Sequence, residues 1–184
     1  MNRFKGLTRS SFTLVELVMV MVIMGMLGMI MLPKFTEIHE DAKVGTAIAD
    51  IKTLATASNL MYADTGHWPT ESVISFMFLN KGSIMYTNNT GWDGWNGPYL
   101  NSLKTYHPWG GYYICGRGQI GGSALFETYV YLDNTGGNGI PEGAAQKLDD
   151  AIDDGNLSTG DVRYGIGGSA DYLGYVIKWD AHGP

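Results

Sequence analysis

Side chains capable of catalysis are few and scattered along this chain. The four histidines stand apart from one another, and no H-E-x-x-H, G-x-S-x-G or Walker phosphate-binding motif occurs. The one cysteine, Cys115, lies in an apolar strand candidate, which favours a packed, unreactive thiol over a nucleophile. A single cysteine also excludes an intramolecular disulfide and any multi-cysteine metal site. The sequence therefore indicates a protein that is not an enzyme.

Oxygen-bearing side chains crowd one segment towards the C-terminus, where they surround Gly155. They are Asp149, Asp150, Asp153, Asp154, Asn156, Ser158 and Asp161. Hard oxygen ligands beside a glycine turn suit calcium, and the candidate ligands are Asp150, Asp153, Asp154, Asn156 and Asp161. The segment is not an EF-hand, because Ile152 occupies the third loop position counted from Asp150. The alternative interpretation is a helix C-terminus that runs into a solvated acidic turn. No other cofactor is required.

Composition and charge argue against several functional classes. A length of 184 residues suits one domain with an appendage. With 12 Lys and Arg against 18 Asp and Glu, the formal net charge is −6, so nucleic acid is not expected as a partner. A content of 45% hydrophobic and 12% aromatic residues argues against a disordered chain.

The first 32 residues indicate a helix inserted in a membrane. Residues 1–11 contain Arg3, Lys5 and Arg9 and no acid, and residues 12–32 are apolar apart from Glu16. At about 1.5 Å per residue, such a helix spans a hydrocarbon core of roughly 30 Å. The preceding cations place the N-terminus in the cytoplasm. A carboxylate at this depth is costly unless it is compensated, so Glu16 is a candidate functional residue.

The segment RSSFTLVEL, residues 9–17, resembles the processing site of type IV pilins and type II secretion pseudopilins. The family also places a Gly and then a Pro along this helix, as Gly25 and Pro33 stand here. The stretches DTGHWPT, GPYL and HPWG at 64–70, 97–100 and 107–110 resemble the major, G-type pseudopilins over about residues 1–115. Two positions depart from the family pattern: Ser11 stands where the family has Gly, and His107 replaces an Asp.

The resemblance implies a filament subunit that is made as a membrane precursor. A prepilin peptidase would cut between Ser11 and Phe12, and the new N-terminus on Phe12 would be methylated. In the filament the Glu16 carboxylate would pair with the Phe12 ammonium of a neighbouring copy. The implied partners are copies of the same chain, the prepilin peptidase/methyltransferase, an inner-membrane assembly platform, minor pilins and membrane lipid.

The implied location is the inner membrane, with a single span and a cytoplasmic N-terminus, before assembly. After assembly it is a periplasmic or cell-surface filament. The motifs favour a type II secretion pseudopilus. The C-terminal part departs from such proteins, which end in a short acidic calcium loop, and this leaves a surface type IV pilus open. A membrane-anchored extracytoplasmic binding domain that forms no filament is the alternative class.

The expected fold is α+β, with a long pilin-like helix packed against a small antiparallel β-sheet. Apolar residues at spacings of three and four extend the helix to about Asp64. The chain is thus expected to comprise a cleaved basic leader (1–11), a membrane or filament-core helix (12–32), its amphipathic continuation (33–65) and a Gly-rich globular domain (66–184).

Within the globular domain, strands are predicted at 111–115, 125–132, 161–166 and 172–179, with a short helix near 141–153. A break in the long helix is predicted around Gly25, Gly28 and Pro33, because glycine weakens a helix and proline lacks a backbone donor.

Overall fold

The computed structural model describes residues 12–69, 85–88, 91–102, 105–118, 126–166 and 172–180. The predicted leader, residues 1–11, therefore lies outside the described residues, and Ser11 with it. The chain divides into two compact units, Met1–His39 and Glu40–Pro184.

Helix α1 (Leu14–Thr65) contributes residues to both units. It agrees with the predicted helix to within two residues at each end. It ends where Gly66 adopts a φ of +73° and its backbone N–H bonds to the carbonyl of Tyr62 at 2.8 Å. A glycine with positive φ is a common helix stop, because other residues are strained in that conformation.

Helix α1 is not unwound at the position of the predicted break. Gly25, Gly28 and Pro33 all lie within one uninterrupted α-helix. Pro33 lacks the backbone N–H that would complete one helical hydrogen bond, and its carbonyl accepts a hydrogen bond from the Thr36 hydroxyl at 2.8 Å. Unwinding a turn would leave several backbone groups unpaired beside apolar side chains. The free-energy cost of those unpaired groups exceeds the helix-propensity penalty of about 1 kcal/mol for each glycine.

In the described part of the second unit, four strands form an antiparallel sheet in the order β1-β2-β4-β3. The strands are β1 (Tyr113–Gly118), β2 (Phe126–Leu132), β3 (Val162–Tyr164) and β4 (Leu173–Asp180), and helix α2 (Glu142–Ile152) precedes β3. A single 3₁₀ turn, Thr135–Gly137, follows β2. These elements confirm the α+β class and the predicted order of strands and helix.

Strand β1 begins two residues later than predicted, because Gly111 and Tyr112 make other contacts. The Gly111 carbonyl accepts a hydrogen bond from the His107 N–H at 2.9 Å, which closes a turn. Tyr112 forms an isolated bridge with Tyr106, and its N–H donates to Asp133 Oδ1 at 2.6 Å.

The hydrophobic core lies between one face of the sheet and the C-terminal part of α1. The buried α1 residues are Val44, Ala47, Ile51, Leu54, Ala57 and Met61, and they cluster with Tyr113, Cys115, Val130, Leu132, Val162 and Leu173 of the sheet. Residues 66–184 alone therefore lack one wall of this core. The second unit, which begins at Glu40, includes this part of α1 together with the sheet.

Cys115 has the inert environment that the sequence predicts. Its side chain is buried opposite Val130 in the β1–β2 register, and burial raises the pKa of the thiol to about 12. At pH 8 the folded protein should therefore leave a thiol reagent such as DTNB unreacted, because the thiolate is the reactive form. In guanidinium chloride one thiol per chain should react. Rapid reaction of the native protein would contradict this packing.

Candidate functional site

The first turn of α1 is closed by a reciprocal pair of side chains, Thr13 and Glu16. The Thr13 backbone N–H and hydroxyl donate to Glu16 Oε2 at 2.9 and 2.8 Å, and the Glu16 N–H donates to the Thr13 hydroxyl at 3.3 Å. This is a capping box, which satisfies backbone donors that have no partner within the helix. The capping box is not among the features predicted from the sequence, although the Thr-x-x-Glu spacing at 13–16 is its signature.

The capping box gives the Glu16 carboxylate a partner within its own chain. The negative charge also lies at the positive end of the α1 dipole, which favours it there. Within one subunit, the Glu16 carboxylate therefore has hydrogen-bond donors that do not depend on a second chain. Phe12, the expected mature N-terminus, directly precedes the box and is 80% exposed.

Apolar side chains cover the surface of α1 throughout the first unit. The exposed large residues are Phe12, Leu14, Val15, Leu17, Val18, Met19, Val20, Met21, Val22, Ile23, Met24, Met26, Leu27, Met29, Ile30, Met31, Leu32, Phe35 and Ile38. Among the described residues, α1 is the one helix long and apolar enough to cross a membrane, with a mean hydropathy of 2.5 in its most apolar stretch. A surface of this kind needs lipid or other protein to cover it.

A group of carboxylates lies where α2 ends and the loop to β3 begins. One oxygen from each of Asp149, Asp153 and Asp154 lies within 4.8 Å of the other two. Asp153 is the C-cap of α2, and its N–H bonds to the Asp149 carbonyl at 2.8 Å. Gly155, with a φ of +78°, then turns the chain away from the helix axis.

The structure brings together two of the five predicted ligands, Asp153 and Asp154, and adds Asp149. Asp150 and Asp161 lie outside this group. The Asp150 Oδ1 accepts a hydrogen bond from Gln146 at 2.9 Å. The Asn156 side-chain oxygen accepts one from the Ser158 N–H at 3.1 Å, within its own turn.

Asp149 differs from its neighbours in being wholly buried with both carboxylate oxygens unpaired. Its exposed fraction is 0%, and neither oxygen has a hydrogen-bond partner. Burial raises the pKa of Asp149 to about 6, and the charges of Asp153, Asp154 and Asp150 act in the same direction. The Gly155 N–H has a weaker opposing effect on this pKa but lies outside hydrogen-bond geometry. Sequence spacing could not identify Asp149, because only the packing shows that it is buried.

His107 has the environment of a structural histidine. It is buried, and its Nδ1 accepts a hydrogen bond from the Trp109 N–H at 3.3 Å. The proton therefore lies on Nε2, which donates to the Asp133 carbonyl at 2.8 Å. Burial lowers the pKa of His107, and the neighbouring Asp133 opposes that shift only in part. A neutral imidazole thus joins the turn before β1 to the end of β2.

Part of this sequence is similar to known proteins. The family described as PilW, C-terminal, matches residues 39–122. The type II secretion system core protein G of Pseudomonas aeruginosa is 32% identical over 106 residues, a match that covers 57% of this chain and 71% of that protein. The same-named protein of Aeromonas hydrophila is 29% identical over 119 residues, covering 64% of this chain and 80% of that protein.

Among solved structures, the major type IV pilin PilA1 of Clostridium difficile matches with a TM-score of 0.46 and 18% identity. The match covers 77% of this chain and 97% of that pilin. The long apolar helix and the sheet that packs on its C-terminal part define a pilin-like protein. Because the chain is 32% identical to the core protein G of Pseudomonas aeruginosa over 71% of that protein, it belongs to the pilin and pseudopilin family.

Proposed function

We propose that this chain is a structural subunit that polymerises into a type II secretion pseudopilus or a type IV pilus-like filament. The observation that supports this most strongly is the apolar surface of α1 in the first unit, which the described part of the chain leaves exposed from Phe12 to Ile38. Lipid can cover that surface before assembly, and the same helix of neighbouring copies can cover it afterwards. Two relatives are named as core components of a type II secretion system.

Assembly requires a mature N-terminus. We infer that a prepilin peptidase cuts before Phe12 and that the new amine is methylated. Phe12 and Thr13 precede α1, so the bond to be cut is next to non-helical backbone. Cleavage would remove Arg3, Lys5 and Arg9 and so release the apolar helix from its cytoplasmic cations. The peptidase/methyltransferase, an inner-membrane platform and minor pilins are the partners that this route requires.

Processing is directly testable by intact mass spectrometry of the assembled protein. The expected mass is that of the chain from Phe12 onwards with one added methyl group. Ser11→Gly should be processed at least as completely as the wild type, because both residues are small. A mature chain that still carries residues 1–11 would contradict cleavage at this bond.

Filament formation itself is tested by shearing cells and imaging the released material by electron microscopy. Filaments that contain this chain support the proposal, whereas a chain found only as dispersed membrane protein contradicts it. Deletion then separates the two kinds of filament. Loss of protein secretion with no loss of surface fibres indicates a pseudopilus, and loss of surface fibres indicates a pilus.

A further inference from the structure

We propose that His107, Trp109 and Glu40 form a pH-sensitive latch, in which protonation of His107 releases the turn at 107–110 from helix α1. The turn is closed by a hydrogen bond from the Gly110 N–H to the His107 carbonyl at 2.8 Å. It carries Trp109, whose indole N–H donates to Glu40 Oε2 of α1 at 3.0 Å. Since Glu40 is the residue at which the second unit begins, the latch fastens the turn to the first part of α1 in that unit.

Both imidazole nitrogens of His107 form hydrogen bonds, and one of these bonds exists only while the ring is neutral. Nδ1 accepts from the Trp109 backbone N–H at 3.3 Å, and Nε2 donates to the Asp133 carbonyl at 2.8 Å. A second proton on the ring makes Nδ1 a donor as well. Two donors then face each other, so the Trp109 N–H loses its acceptor and the turn must change its conformation.

The closed turn holds the imidazole of His107 in its neutral form. The residue is 2% exposed, and a charged ring that loses its hydration is disfavoured, so burial lowers the pKa of His107. The carboxylate of Asp133 acts on this pKa in the opposite direction and has the smaller effect. Its oxygens already accept from the Tyr112 N–H and from the Thr135 N–H and hydroxyl. The closed turn therefore binds a proton less readily than an imidazole in water does.

The other titratable groups near the latch lie beyond aromatic side chains. Tyr113 of β1 packs on the imidazole with ring centroids 5.9 Å apart, and its hydroxyl donates to Asp50 of α1 at 3.2 Å. Beyond the indole, Glu40 also pairs with Lys43 at 2.8 Å. The causes that shift the pKa of His107 are burial and the residue at the end of β2, not these groups. The protonation of His107 is therefore the change that acts directly on the turn.

Acidification favours the open turn over the closed one. In the open turn the imidazole is in water, where its pKa is about 6.5, whereas burial lowers the pKa of His107 in the closed turn. Below a pH of about 6.5 the open form consequently binds more protons, so its share rises as the pH falls. Above that pH the ring is neutral in both forms and the latch stays closed. Opening separates the Trp109 indole from Glu40.

The test is hydrogen exchange of the Trp109 indole N–H, followed by NMR on the full-length, nitrogen-15-labelled protein in detergent. It needs no filaments, so its outcome is independent of the proposed function. The indole signal missing from Trp109→Phe identifies Trp109, and each exchange rate is divided by that of N-acetyltryptophanamide at the same pH. The opening equilibrium should rise by up to about tenfold from pH 6 to pH 5, because opening takes up one proton. From pH 8 to pH 7 it should change by less than about twofold.

Two variants separate His107 from the acid to which the turn is fastened. In His107→Asn the amide oxygen can accept from the N–H two residues on, as in an Asx turn, and it does not titrate, so the rise from pH 6 to pH 5 should disappear. Glu40→Gln keeps an acceptor for the indole and removes the carboxylate, so the rise should remain.

The wild type alone decides if His107→Asn does not fold. Nitrogen-15 shifts of the His107 ring should show a neutral imidazole with its proton on Nε2 at pH 6.5. The buried indole of Trp68, at 4% exposure, reports global unfolding and should exchange more slowly than that of Trp109. A ring mostly protonated at pH 6.5, equal exchange of the two indoles, no rise in the wild type, or an undiminished rise in His107→Asn would each overturn the proposal.

Discussion

Subunits carrying Glu16→Gln should insert in the membrane, fold normally and form no filaments. Glutamine can still accept the hydrogen bonds that the Thr13 N–H and hydroxyl donate to Glu16 Oε2, so the capping box is retained. The variant loses only the negative charge. The resemblance to pilins implies that in the filament this charge pairs with the Phe12 ammonium of a neighbour, which would otherwise remain uncompensated in an apolar core.

Two further variants separate the cap from the charge. Glu16→Ala removes both and should also form no filaments. Thr13→Val removes the hydroxyl from the box but keeps the carboxylate, so it should assemble, with some loss of order in the first turn of α1. Glu37→Gln makes the same substitution at an exposed acid beyond the apolar run and should assemble as the wild type does.

The measurement compares sheared, pelleted filaments with the membrane-bound pool by immunoblotting. Proteolytic resistance of the second unit shows that each variant remains folded. Filaments from Glu16→Gln at wild-type levels would assign Glu16 to helix capping alone. That result would remove the pairing argument, whereas filaments from the wild type would still support a structural subunit.

Periodic apolar residues were the most informative part of the sequence. The stripe through Val44, Ile51, Leu54 and Met61 predicted the buried face of α1, and these residues are the ones that pack on the sheet. The strands could be predicted because alternating apolar and polar residues, bounded by turn residues, are local signals. The motifs that resemble those of pilins and pseudopilins also predicted a long helix packed against a small sheet.

What the sequence could not supply depends on contacts between distant residues. The start of the second unit at Glu40 follows from the core shared by α1 and the sheet, not from composition near Gly66. The burial of Asp149 likewise depends on how α2 packs. The Thr13–Glu16 box is different, because it is local and the Thr-x-x-Glu spacing that defines it is present in the sequence.

Arg163→Met should destabilise the second unit by about 3–5 kcal/mol, because it leaves a buried acid without its cation. The Arg163 guanidinium on β3 donates to both Glu127 oxygens on β2, at 3.2 and 3.3 Å. The side chains are 7% and 0% exposed. Strands β2 and β3 are not neighbours in the sheet, because β4 lies between them. The ion pair therefore links two strands that share no backbone hydrogen bonds.

An exposed ion pair of the same unit provides the control. Lys147 and Asp41 lie closer together, at 2.6 Å, but their side chains are 47% and 56% exposed. Lys147→Met should therefore change stability by about 0–1 kcal/mol, because water screens the pair and solvates the remaining acid. Burial rather than distance should decide which substitution is severe. Equal effects of the two variants would contradict this.

The double variant Arg163→Met/Glu127→Gln shows what the ion pair contributes beyond the penalty of breaking it. Urea unfolding of the full-length protein in detergent, followed by tryptophan fluorescence, measures each free energy of unfolding. Because the double variant removes the buried charge as well as its partner, it should recover much of the stability that Arg163→Met loses. A double variant as unstable as the single one would show that the Arg163 hydrogen bond to the Gly160 carbonyl, at 3.1 Å, matters more than the charge of Glu127. Arg163 would then act mainly by holding the loop between α2 and β3 through the Gly160 carbonyl.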